Sequence, residues 1–147
     1  MLDADASAAG WGNALLAGPA RGIAIGMAFN PIGAQGVEIL GVTRSSIRMA
    51  QSTIAVDCCR PVSLGMIEQQ IFGGMVQGMK AALWGRQTFT NAAADMKNFN
   101  CGRMMRIRET PRVQVMIVPA PAVANRAVPI GGTGGTGGLS GIALSRY

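Results

Sequence analysis

The hydrophobic positions in the first part of the chain fall into three short runs separated by glycine and polar clusters. Runs of this length, with β-branched residues and turn-forming residues at their ends, predict β-strands. These runs cover residues 21–29, 35–42 and 47–56. The short connections between them favour antiparallel pairing of neighbouring strands. Residues 112–118 (RVQVMIV) predict a further strand.

The hydrophobic pattern changes to a helical period over residues 65–83. Here apolar residues recur at helical spacing, which predicts one long helix with a wide apolar stripe. The stripe consists of Ile67, Ile71, Met75, Met79 and Ala82, joined by Phe72, Val76 and Leu83. A second face carries small and amide side chains instead of charges, namely Gln70, Gly74, Gln77, Gly78 and Ala81.

The glycines of this helix need an explanation, because a glycine in a helix interior costs up to about 1 kcal/mol relative to alanine. Gly73, Gly74 and Gly78 indicate that something approaches the helix closely. Tight packing on other protein and contact with a ligand both remain open at this point.

These elements predict an α+β fold, with a mainly antiparallel sheet packed on one long helix, as part of a larger domain. Residues 1–20 are rich in alanine and glycine and predict an irregular N-terminal lead-in, whereas residues 21–147 form the partial domain. The acidic N-terminus does not have the pattern of a secretory signal, and we expect no transmembrane segment. We therefore expect a cytoplasmic chain, unless a partner carries an export signal.

The composition adds two restrictions. The chain is 49% hydrophobic and 14% charged, against about 25% charged residues in ordinary soluble domains. A chain of this kind buries much of its surface, including against other protein, so we expect self-association. It has three cysteines and no histidine, which excludes a histidine-dependent triad and argues against a zinc site within this sequence. The cysteines are expected to be reduced and buried.

The net charge of +6 raises the question of an anionic partner. The basic residues are scattered apart from Arg103, Arg106, Arg108 and Arg112, aromatic residues make up 5% of the chain, and no nucleic-acid-binding motif occurs. We expect no nucleic acid as a partner. The arginines would lie in solvent or pair with the carboxylates of a partner, while a basic anion-binding module remains an alternative.

Residues 55–85 (AVDCCRPVSLGMIEQQIFGGMVQGMKAALWG) resemble the molybdenum-binding large subunit of the xanthine dehydrogenase/aldehyde oxidase family, and within it the isoquinoline 1-oxidoreductase β-subunit type. The resemblance continues through Asn98-Phe99, the M-x-R-x-x-E-x-P-x-V-x-V pattern at 104–115, and the glycine loop at 129–138. It corresponds to a C-terminal portion of much longer subunits.

The resemblance implies an oxidoreductase that hydroxylates an N-heteroaromatic compound or an aldehyde with oxygen from water. It implies a molybdenum–pterin cofactor, expected as molybdopterin cytosine dinucleotide, with [2Fe-2S] clusters on a small partner subunit. Gln70 matches the family glutamine beside the cofactor, and Gly73 and Gly74 would let the helix approach it. These residues, with Gly134 and Gly135 of the loop, are the candidate cofactor contacts.

The glycine loop departs from the family at its catalytic position. The family pattern resembles G-G-x-G-E-x-G, with the glutamate acting as general base, and Gly135 occupies that position here. The nearest upstream carboxylate is Glu109. Further departures from the family pattern are Cys59, Phe72, Asn100, Cys101 and Gly102. We therefore predict no catalytic residue and no activity of the isolated chain. A non-catalytic structural or interaction protein derived from this fold is the alternative.

Overall fold

The computed structural model describes residues 1–14, 20–27, 32–43, 46–58, 61 and 63–118. Most of the described chain belongs to a mixed sheet and the two helices that pack on it. In chain order the elements are α1 (Leu2–Ala8), β1 (Ala20–Met27), β2 (Ile32–Thr43), β3 (Ser46–Asp57), α2 (Leu64–Trp84), β4 (Phe89–Thr90), β5 (Ala93–Ala94) and β6 (Arg112–Ile117). Two short 3₁₀ turns lie at Phe99–Cys101 and Ile107–Glu109.

The main sheet has the strand order β1-β2-β3-β6. Strands β1, β2 and β3 form an antiparallel meander, as their short connections predict. Strand β6 instead pairs with β3 in parallel, so the expected antiparallel sheet is correct for three strands and wrong for the fourth. A parallel neighbour needs a long crossover, which here is supplied by α2 and the segment that follows it.

Helix α2 covers one face of this sheet. The predicted helix over residues 65–83 is confirmed at Leu64–Trp84, and the α+β class with it. The helix buries Ile67, Ile71, Met75, Gly78 and Met79 against the sheet. Three residues differ from their predicted placement. Phe72 and Ala82 of the apolar stripe are exposed, and Gly78 of the second face is buried. The part of α2 that contacts the sheet is therefore narrower than the predicted apolar stripe.

The core between α2 and the sheet is aliphatic and rich in methionine. Its strand residues include Val37, Ile39, Ile54 and Val56, and Val113, Val115 and Ile117 of β6 pack against its edge. A polar pair is enclosed here, since the Gln35 amide donates a 2.9 Å hydrogen bond to the Ser52 hydroxyl and both residues are fully buried. A buried amide that is hydrogen-bonded avoids most of its desolvation cost.

Helix α1 lies against the same sheet, where it contacts β1, β2 and β3. The sequence predicts an irregular lead-in over residues 1–20, and the helix Leu2–Ala8 corrects that prediction for its first part. Alanine has a high helix propensity. Asp3 and Asp5 lie in the first turn, where carboxylates interact favourably with the positive end of the helix dipole. Such a short helix is stable mainly through tertiary packing. The expectation of one long helix therefore omitted a second, shorter one.

Neither helix in the described part of the chain is long and apolar enough to cross a membrane.

Candidate functional site

The outward face of α2 carries the candidate residues that the structure describes. We call this the Gln70 face and define it by Gln70, Gly73, Gly74 and Gln77. Gln70, Gly73 and Gln77 are exposed, and Gly74 is half-buried. The sheet contact of the helix is made by other positions, so the Gln70 face is presented away from the core.

Among the described residues, nothing packs against Gly73 closely enough to require a glycine there. A Cβ added at this position would meet no heavy atom within 4 Å. Gly73 nevertheless lies in the interior of a helix, where glycine is unfavourable. A group from outside the described residues that approaches the helix at this point would explain this cost.

Gly78 has a different role from the one the sequence suggests. It is buried with Met75 and Met79 on the side of the helix that faces the sheet. Of the three glycines expected to permit close approach, Gly78 therefore belongs to the internal helix contact, whereas Gly73 is open to solvent.

The glycine loop at 129–138, with Gly134 and Gly135, lies outside the described residues, as does Cys59. The candidate site is thus described from its helix side. Across the ranges that are described, no group of three or more histidine, cysteine, aspartate or glutamate side chains could hold a metal ion. Cys58 is buried as expected, but Cys101 is exposed, which corrects the prediction for that cysteine.

Glu109 is held in a local network rather than in an open site. It accepts a 2.9 Å hydrogen bond from the Arg106 backbone N–H and forms an ion pair with Arg103. The Arg106 N–H is the largest cause that lowers the pKa of Glu109 below its ordinary value, and Arg103 lowers it further. A general base works best with a pKa near the working pH, so this carboxylate is poorly suited to that role.

An apolar groove between α2 and β6 was not predicted from the sequence. It is lined by Glu68, Gln69, Phe72, Val113 and Val115. Phe72 is 42% exposed, although its spacing places it at the edge of the apolar stripe. The signal that could have found the groove is the departure at Phe72, where the family that the sequence resembles has glutamate.

The four arginines that lie close together in the sequence differ in their surroundings, since one is paired within the chain and three face solvent. The Arg103 guanidinium lies 4.1 Å from the centroid of the Trp84 ring and also pairs with Glu109. Arg106, Arg108 and Arg112 are exposed. Both sequence expectations for the arginines, solvent and a partner's carboxylates, are compatible with this arrangement.

Comparison with family models and with curated protein sequences gives no match. Among solved structures, the chain is similar to the Cu,Mo-CO dehydrogenase in its carbon monoxide reduced state, with 19% identity and a TM-score of 0.64 over 80% of this chain and 15% of that chain. It is similar to quinoline 2-oxidoreductase from Pseudomonas putida 86, with 17% identity and a TM-score of 0.64 over 78% of this chain and 15% of that chain.

A third similar structure is aldehyde oxidoreductase from Desulfovibrio gigas, with 20% identity and a TM-score of 0.53 over 78% of this chain and 12% of that chain. At such identities the likeness shows the fold. The chain spans 12–15% of the length of these three proteins.

Proposed function

We propose that this chain is a portion of the molybdenum-binding large subunit of a molybdenum hydroxylase, and that its Gln70 face lies against the cofactor. The order of its sequence motifs supports this, as does a fold similar to part of a Cu,Mo-CO dehydrogenase and of an aldehyde oxidoreductase. The observation that carries the proposal is Gly73, an exposed glycine in a helix interior with open space around it.

The residues of the Gln70 face fit such a cofactor. In the family that the chain resembles, a pterin dithiolene holds the metal, so the protein needs to supply room and hydrogen bonds rather than a cluster of metal ligands. The exposed Gln70 amide offers a donor and an acceptor, and the exposed Gly73, next to the half-buried Gly74, leaves part of the helix backbone uncovered. We propose molybdopterin cytosine dinucleotide as the cofactor form.

When bound, the molybdenum cofactor would supply the chemistry that hydroxylates an N-heteroaromatic or aldehyde substrate with oxygen from water. Within this chain, Gln70 would orient the cofactor through its amide, and Gly134 and Gly135 would approach it from the glycine loop. Gly135 has no side chain to take a proton, so we propose that the chain is inactive without a carboxylate from another polypeptide.

The larger assembly is part of the same proposal. The rest of a large subunit and a small subunit with [2Fe-2S] clusters would be the partners, in the cytoplasm unless a partner carries an export signal. The isoquinoline 1-oxidoreductase β-subunit type is the proposed branch, on the strength of the sequence motifs.

A second candidate is a non-catalytic interaction protein derived from this fold. The observation that favours it is apolar exposure, since Leu64 is 57% exposed, Met66 56% and Phe72 42% on α2. Exposed apolar surface of this kind marks contact with protein. Such a protein would contain no molybdenum, and self-association would cover its apolar groove.

Metal and pterin content of the complex purified from the native source, with its subunits retained, tests the proposal. We expect stoichiometric molybdenum with a pterin that is detectable by fluorescence after oxidation. Gln70→Ala should lower both several-fold, whereas Gln69→Ala, which removes an exposed amide of the same helix outside the Gln70 face, should retain them. A complex with the intact chain and no molybdenum would reject the proposal in favour of the second candidate.

A further inference from the structure

Residues 98–110 form a loop whose shape is fixed by contacts with the rest of the protein. We call it the 98–110 loop. Met105 is buried in the core under α2. The Arg103 side chain stacks on Trp84, the last residue of α2, and pairs with Glu109. Glu109 in turn accepts a hydrogen bond from the Arg106 backbone N–H. The loop is therefore held at residues 103–109, through Met105 in the core and through Arg103 against the end of α2.

This fixed loop presents apolar side chains to solvent. Phe99 is 104% exposed, Ile107 92% and Met104 53%. Phe99 and Ile107 begin the two 3₁₀ turns of the loop. Large apolar side chains held fully in water by a well-anchored backbone are typical of surfaces that bind another protein.

The charge of the loop is positive. Arg106 and Arg108 are exposed, and Lys97 and Arg112 lie exposed just beyond its ends. The single carboxylate of the loop, Glu109, already interacts with Arg103 and Arg106 inside it. A complementary surface would therefore carry carboxylates opposite Arg106 and Arg108.

We propose that the 98–110 loop is a docking surface for a separate protein chain whose contact surface is apolar at its centre and acidic around it. Phe99 and Ile107 would enter the apolar part, and Arg106 and Arg108 would pair with its carboxylates. The inference does not depend on molybdenum binding by the Gln70 face.

Two other occupants fit less well. A second copy in a symmetric dimer would set Arg106 and Arg108 against the same arginines, and like charges repel across an interface. Nucleic acid would satisfy the arginines, but phosphates offer nothing to the aliphatic side chains of Met104 and Ile107.

Site-specific photocrosslinking in the native assembly tests the proposal. A benzophenone side chain is placed at Phe99 or Ile107, with Ser7, an exposed residue of α1, as the control position. We expect crosslinks from both loop positions to one partner polypeptide, within a segment rich in aspartate and glutamate, and none to that segment from Ser7.

Charge-reversal variants provide a second test of the proposed docking surface. Arg106→Glu with Arg108→Glu should lower the crosslinking yield from Phe99 several-fold, whereas Arg48→Glu, an exposed arginine of β3, should leave it unchanged. Crosslinks to a second copy of this chain, crosslinks to nucleic acid, or no crosslink in a complex whose circular dichroism matches the unmodified one would each overturn the proposal. Molybdenum content measured on the same samples reports separately on the Gln70 face.

Discussion

The Asp5 carboxyl lies directly against Gly36, where its Oδ2 is 3.0 Å from the position that a Cβ on Gly36 would occupy. The Thr53 hydroxyl oxygen is 2.8 Å from the same position. The absence of a side chain at Gly36 therefore allows α1 to pack closely against the sheet. The result is a carboxyl group with no exposure to solvent, enclosed between a short helix and two strands.

Gly36→Ala should separate α1 from the sheet. The added methyl group would meet both Asp5 and Thr53 at distances shorter than van der Waals contact. Overpacking of this kind costs about 1–3 kcal/mol in the free energy of unfolding, which urea titration measures. An unchanged midpoint would show that α1 does not lie this close to Gly36 in solution.

Asp5→Asn should change how stability depends on pH. Burial raises the pKa of Asp5 to about 6, against the smaller opposing effect of the Thr53 hydroxyl. The folded pKa lies above the unfolded value of about 4, so the folded state holds the Asp5 proton more tightly than the unfolded state does. The contribution of the protonated carboxyl to the free energy of unfolding is therefore complete below pH 4 and is lost as the pH rises through 6. The variant should match wild type near pH 4 and exceed it by about 1–2 kcal/mol above pH 7.

Denaturant unfolding between pH 4 and 8 measures this difference. Asp3→Asn is the matched control, since Asp3 lies in the same turn of α1 and is exposed. A constant difference between Asp5→Asn and wild type across the pH range would contradict the raised pKa.

Gly73→Ala should raise the stability of the chain and lower its cofactor binding. Since the added methyl group meets no atom within 4 Å, the substitution should stabilise the chain by up to about 1 kcal/mol. The same methyl group would obstruct a cofactor at the Gln70 face and lower the molybdenum content of the complex. Gly65→Ala, at another open glycine of α2, should leave the molybdenum content unchanged. Equal molybdenum in both variants would argue against a cofactor at this face.

Ile71→Ala and Phe72→Ala should differ sharply despite being neighbours. Ile71 is fully buried between α2 and the sheet, so its truncation should cost about 2–4 kcal/mol by thermal or denaturant unfolding. Phe72 is 42% exposed beside Val113 and Val115, and its loss should cost less than about 1 kcal/mol. Equal losses would mean that Phe72 is part of the core.

Ala92→Gly should stabilise the β4–β5 hairpin. Asn91 and Ala92 both have positive φ, at 50° and 62°, as a tight type I′ turn requires. Alanine is strained there by about 1 kcal/mol, whereas glycine is not. Amide hydrogen exchange at Asp95, whose N–H donates a 2.9 Å hydrogen bond to the Thr88 carbonyl, should slow in the variant. Faster exchange would show that the turn adopts another form.

Periodicity predicted the strands of the meander, helix α2 and strand β6, because each has a run of apolar positions with a clear repeat. It did not predict that β6 pairs in parallel with β3, since a repeat along one strand carries no information about its partner. Helix α1 was missed because LDADASA has little apolar periodicity and gains its stability from contact with the sheet.

The candidate site could be predicted only in part. The residue order around Gln70 identified a resemblance, and the structure places Gln70 and Gly73 in solvent on α2. Gly78 was assigned to the same open face but is buried, because a small residue suits close helix–sheet contact as well as ligand contact. Phe99 and Met104 entered the analysis only as parts of matching motifs, and the exposure of Phe99 and Ile107 was not predicted because it depends on the tertiary structure.

The parallel pairing of β3 with β6 has a consequence for the order in which the chain folds. The hairpins of β1, β2 and β3 are local and can form soon after these residues leave the ribosome. Gln51 must wait for its partner Arg112, which is made only after the whole of α2 and the 98–110 loop. During that interval the outer edge of β3 is open to pairing with another nascent chain. Docking of β6 is thus the step that ends the period in which this sheet is most prone to aggregate.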